Sequence, residues 1–167
     1  MRYSLMALAM LASPAAAQES GSEWQFYQDD EATKGLLQAF VGTEDGTQLI
    51  IKCDEAGKRK TFAVFVAPVN LVAPSSREQS RDIVISFDDG PSRKERWRYF
   101  YQTARAVNTP GEGSLKKFLS QLNDAKTISV RFDALDGLTE ATTFRVEGAR
   151  EAVQHVFDSC KDENPAA

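Results

Sequence analysis

Two cysteines, one histidine, two short acidic runs and one basic run are the residues of this chain that could do chemistry. Cys53 and Cys160 make an even pair, and an even pair in an exported chain points to a disulfide. Two buried free thiols, each behaving as a small apolar residue, are the alternative. Zinc needs a spaced cluster of ligands, and two distant cysteines with a single histidine do not provide one, so no metal site is expected. A serine-type triad needs a histidine beside a nucleophile, with a carboxylate to orient it. His155 lies instead in a helical pattern near the C-terminus, and the chain contains no Gly-x-Ser-x-Gly elbow. It reads as a partly exposed helix residue.

The acidic run Asp29-Asp30-Glu31 could bind calcium weakly. It lacks the alternating acids and central glycine of an EF-hand loop, so a solvated loop is expected. Asp88-Asp89 could do acid-base work on a sugar, which needs two carboxylates facing each other across the substrate. Neighbours on a tight turn seldom do so, and these two precede Gly90-Pro91. No catalytic residue and no cofactor is therefore expected. The densest basic cluster is Arg93, Lys94, Arg96 and Arg98, interleaved with Trp97, Tyr99 and Phe100. Strand alternation places Arg96 and Arg98 on one face and Trp97, Tyr99 and Tyr101 on the other. These four basic residues are the candidate partner-binding site, because arginine beside aromatics is what interface hot spots are made of. Aromatics in the core and arginines in solvent is the simpler reading of the same pattern.

The compartment follows from the start of the chain. Arg2 precedes the apolar run Leu5 to Ala12, and Ala15-Ala16-Ala17 supplies small residues for a peptidase. This reads as a signal peptide over residues 1–17, cut after Ala17, which predicts a periplasmic protein. The apolar run is about eight residues, short of the roughly 20 that span a bilayer, so no membrane span is expected. Gln18 follows the cut, where lipid attachment would need a cysteine. Residues 18–167 suit one globular domain, with flexible ends at Gln18 to Ser22 and Asp162 to Ala167. The net charge of -4 gives no field toward nucleic acid.

Alternation and turn signals supply the elements. Strands are expected over Trp24 to Gln28, Leu36 to Thr43, Thr47 to Cys53, Lys60 to Ala67, Arg81 to Phe87, Ser92 to Gln102, Thr127 to Asp133 and Glu140 to Val146. Ala104 to Asn108 reads as a strand or a loop. Pro68 to Arg81, with Pro74 and Ser75-Ser76, reads as an irregular crossover or exposed loop. Gly111-Glu112-Gly113 leads to Ser114, a good N-cap. Leu115, Phe118, Leu119 and Leu122 then fall on one helical face. A last helix runs from Arg150 to Cys160 with Ala152, Val153, Val156, Phe157 and Cys160 as its stripe. The expected fold is α+β: mainly antiparallel β-sheet or sandwich, with two short helices in the C-terminal half. A Cys53–Cys160 bond would pin the last helix to the sheet. It would close a loop of about 107 residues, for which loop-closure entropy gives roughly 4.5 to 5 kcal/mol.

The order of these features, with "TQLIIKC", "ISFDDGP" and its Trp97 partner strand, "SLKKFLSQLNDAKTISVRF" and "FRVEGAREAVQHVFDSC", resembles the type VI secretion-associated accessory family known as VasI or TagO. Similar elements occur in the invasion-associated locus B group. The resemblance implies a non-catalytic periplasmic role and brings no catalytic residues. The expected function is that of a binding or accessory protein, not an enzyme, with an envelope or secretion-apparatus protein as partner and an oligomeric state left open. Two alternatives stand beside it. One is an inhibitor of a cell-wall-degrading enzyme, using the Pro68 to Arg81 loop as a plug. The other is an envelope hydrolase using Asp88 and Asp89.

Overall fold

The computed structural model describes residues 24–28, 37–58, 61–74, 77–106 and 114–167. The signal peptide with its cut after Ala17, the stretch Gln18 to Ser22, the run Asp29-Asp30-Glu31, the pair Ser75-Ser76 and Gly111-Glu112-Gly113 lie outside the described residues.

In chain order the elements are β1 (Gln25–Gln28), β2 (Leu37–Gly42), β3 (Gln48–Cys53), β4 (Thr61–Val66), β5 (Gln79–Phe87), β6 (Arg93–Phe100), β7 (Thr103–Ala106), α1 (Ser114–Leu122), β8 (Thr127–Asp133), β9 (Thr139–Arg145) and α2 (Ala149–Cys160). The nine strands form one sheet in the order β1-β2-β3-β4-β7-β6-β5-β8-β9. Neighbouring strands pair antiparallel throughout. The fold is thus α+β and mainly β, with both helices in the C-terminal half.

The sheet curls until its ends approach each other. β2 touches β9 across the interior, and the Trp24 indole N–H donates to the Val146 carbonyl at 3.3 Å. Aromatic packing fills part of the space inside, with Phe65 of β4 lying 4.9 Å from Phe132 of β8 between ring centroids. The helices fill the rest: α2 lies along β2, β3 and β4, and α1 against β6 and β7. On α1 the four periodic apolar residues Leu115, Phe118, Leu119 and Leu122 are all buried. Phe118 meets Trp97 edge to face at 5.1 Å. Gly148 turns the chain from β9 into α2 at φ 80°, a left-handed conformation that a β-carbon would strain.

The link from β4 to β5 is a crossover, because β7 and β6 lie between them in the sheet, and it is shorter than the expected Pro68 to Arg81, since Gln79, Ser80 and Arg81 already pair within β5. Its middle joins the core: Leu71 and Val72 are fully buried. The Leu71 and Val72 amides donate to the Tyr101 carbonyl at 2.8 and 3.1 Å, and the Arg81 guanidinium donates to the Leu71 carbonyl at 3.2 Å. Tyr101 departs from the expected alternation. β6 ends at Phe100, and Tyr101 turns to φ 53° and faces solvent, while Trp97 and Tyr99 are buried. The turn into β7 takes Tyr101 off the strand, and its carbonyl serves the crossover.

Cys53 and Cys160 pair as a disulfide, with Cα atoms 6.1 Å apart and a sequence separation of 107. The bond joins the end of β3 to the end of α2. The Gly57 amide donates to the Cys160 carbonyl at 2.7 Å. Residues 162–167, expected as a flexible end, form turns beside this bond. The Asp162 carboxylate accepts the Thr61 hydroxyl at 2.6 Å and its amide at 3.2 Å, and Ala166 packs on the core.

Candidate functional site

Strand β6 holds the basic cluster, and its pleat divides the four residues. Arg93 shares the inner face with Glu95, Trp97 and Tyr99. Lys94, Arg96 and Arg98 share the outer face with Phe100. The parity that places Trp97 inside also places Arg93 there, so the four do not form one patch.

Inside, the Arg93 Nε donates to Glu95 Oε1 at 2.7 Å, and the Trp97 indole N–H donates to Glu95 Oε2 at 3.0 Å. Both oxygens of a carboxylate whose side chain is 3% exposed are therefore engaged. The Arg93 guanidinium stacks over the Phe87 ring, 5.3 Å from its centroid. Glu95 was not singled out from the sequence. Its signal was there, since it alternates in phase with Trp97 and Tyr99. The deeper Tyr99 donates its hydroxyl to the Asp82 carbonyl at 3.2 Å. Burial, with a smaller contribution from the Asp133 charge, pushes its pKa well above the ordinary 10.0.

Above Arg93 opens a groove of about 480 Å³ between the β5–β6 turn and the end of α1, lined among others by Phe87, Asp88, Pro91, Arg93, Gln121 and Asp124. Asp88 on its rim is tied down. Its Oδ1 accepts the amides of Lys126 and Thr127, each at 2.9 Å, and its own amide donates to the Thr127 carbonyl at 3.0 Å. The Thr127 and then the Lys126 amide hold its carboxyl below the usual 3.8. A general acid needs the opposite, a carboxyl that keeps its proton near neutral pH. Asp124 on the same rim is paired with Arg150.

Outside, the sheet order brings to the cluster residues that the sequence keeps far away. Arg105 of β7 sits across from Arg98 in register. Arg131 of β8 pairs with Val84, which itself pairs with Lys94. Glu78 reaches both arginines, Arg105 at 2.9 Å and Arg98 at 3.6 Å. Asp82 stands 4.0 Å from Arg96, whose side chain is 70% exposed. Arg105 and Arg131 escape a linear reading because each lies in a separate short strand, and adjacency exists only after the strands are ordered.

The remaining candidates lie apart. His155 is exposed on α2 with its ring edge-on to Phe26, 4.9 Å between centroids. Among the described residues no group of three or more His, Cys, Asp or Glu could hold a metal ion, and no helix is long and apolar enough to cross a membrane.

Residues 22–153, most of the chain, match the model of the YfjT family. The match includes Cys53 and ends within α2, short of Cys160. No curated protein and no solved structure matches the chain.

Proposed function

The chain belongs to the YfjT family, and from the sequence and the geometry above we propose that it is an exported, non-catalytic binding or accessory protein of the cell envelope. It works by contact, as a rigid body whose last helix is fastened to its sheet. The observation that carries the reading is the Cys53–Cys160 pairing in a chain that starts like an exported one. Such bonds persist in oxidising compartments and are rare where thiols are kept reduced. The fate of the reactive-looking groups supports the contact role. Asp88 braces a corner, Glu95 neutralises Arg93 inside the sheet, and His155 lies against an aromatic ring. The likeness to the VasI/TagO group is what points to a secretion apparatus as the partner's setting.

The test is fractionation of the protein expressed from Met1 in a Gram-negative host, followed by intact mass after alkylation. The expected product is periplasmic, lacks residues 1–17, and takes up alkylating agent only after reduction. A cytoplasmic product with two alkylated thiols would sink the proposal.

A further inference from the structure

The outer face of the sheet half β7-β6-β5-β8 carries a line of cations. Lys94, Arg96 and Arg98 alternate along β6, so they recur about every 7 Å. Arg105 flanks them on one side and Arg131 on the other. These five cations share the face with three carboxylates, Glu78, Asp82 and Asp133, the last beside Asp82 and Arg96. The chain as a whole carries a net charge of -4. The charges are thus segregated, and the segregation comes from strand order.

We propose that this strip is the docking surface for an acidic, extended segment of a partner protein. The inference rests on the contact reading above and names the chemistry of the contact. Three observations select a carboxylate-bearing protein segment. First, four of the five cations are arginines, whose planar forks suit carboxylates. Second, the fold already uses the strip in this way: Glu78 sits between Arg98 and Arg105, and Asp82 faces Arg96. Third, a strand presents like positions at the same interval as an extended partner would, so successive acids can meet successive cations. A lipid surface would also call for apolar side chains that insert. Within the strip only half-buried Val84 is apolar, and the exposed Phe100 stands at its end. The acidic remainder of the molecule repels an acidic partner, so the charge distribution also orients the approach.

The test uses the folded, oxidised protein and a labelled peptide of about twelve alternating glutamates and serines. Binding is read by fluorescence anisotropy at about 50 mM and about 500 mM salt. The informative variant is Lys94→Glu with Arg96→Glu, both exposed positions. The neutral pair Lys94→Gln with Arg96→Gln is the second variant, and far-UV circular dichroism confirms that each folds. Lys116→Glu with Lys117→Glu, on the exposed side of α1, changes net charge equally at a distance. The expected result is at least about tenfold weaker binding for the β6 reversal, a smaller loss for the neutral pair and about twofold or less for the α1 control. High salt should weaken the wild type at least about tenfold. The proposal is overturned if the wild type does not bind the peptide, if the α1 control loses as much as the β6 variant, or if vesicles of anionic phospholipid bind and the peptide does not. Failure here is separable from failure of the contact reading. An export-positive protein that crosslinks to an envelope protein equally well with and without the β6 reversal keeps its contact role and loses this surface.

Discussion

Glu95 is the residue on which the inner face of β6 depends. It neutralises Arg93 and satisfies the Trp97 indole at once. Removing one member of a buried ion pair leaves the other charge uncompensated, at a cost of about 3 to 5 kcal/mol when both are sealed off. The Arg93 side chain is 20% exposed, so water recovers part of that. Glu95→Ala is expected to cost about 2 to 3 kcal/mol in urea unfolding, and Glu95→Leu with Arg93→Met to recover part of it. A single variant as stable as the wild type would mean that the carboxylate is not confined as described. Asp88 gives the pH dependence. Its carboxyl titrates below 3.8 in the folded protein because the Thr127 and Lys126 amides favour the ionised form. The stability this contributes is whole above the unfolded value and is lost as pH falls through the lower folded value. Asp88→Asn keeps an acceptor oxygen but no longer titrates. Its urea midpoint is expected to fall less than the wild type's between about pH 5 and pH 2, and parallel curves would show that the amides do not select the charged form.

At the scale of elements, the staple decides how α2 is held. The helix has an apolar stripe against β2, β3 and β4, and the bond at its end closes a 107-residue loop. Cys160→Ser is expected to lose roughly 4 to 5 kcal/mol by loop entropy. Amide exchange should quicken first in α2 and in the turns after it, and uniform quickening would mean that the helix is held by the stripe alone. Most of the elements were legible in the sequence, because alternation and Gly-containing turns are local signals. The stripes Leu115-Phe118-Leu119-Leu122 and Ala152-Val153-Val156-Phe157 are buried as their spacing implies. The end of β6 was not legible, because Tyr101 continues the alternation by type and leaves the strand only through its backbone turn. The basic cluster was half legible. Parity separated Arg96 and Arg98 from the aromatics, but Arg93 belonged with the aromatics. Arg105 and Arg131 needed the strand order β7-β6-β5-β8, which no local pattern encodes.

For the molecule as a whole, the curled sheet makes one cooperative body. Its two tryptophans sit in different surroundings, Trp97 in the core and Trp24 where the sheet's ends meet. Fluorescence, which reads both, and far-UV circular dichroism, which reads strands and helices, are expected to give superimposable urea transitions with the disulfide intact. A separate early fluorescence phase would show the seam opening alone.

Synthesis runs from the first residue to the last, and that direction gives the Cys53–Cys160 bond a further consequence. The earlier sulfur leaves the biosynthetic machinery more than a hundred residues ahead of its mate. In the interval it is an unmated nucleophile, able to attack the disulfide of an oxidoreductase or of a foreign protein and to form a mixed disulfide as the other sulfur leaves. The bond can close only when α2 arrives, so in this protein oxidation reports that the helix has been made.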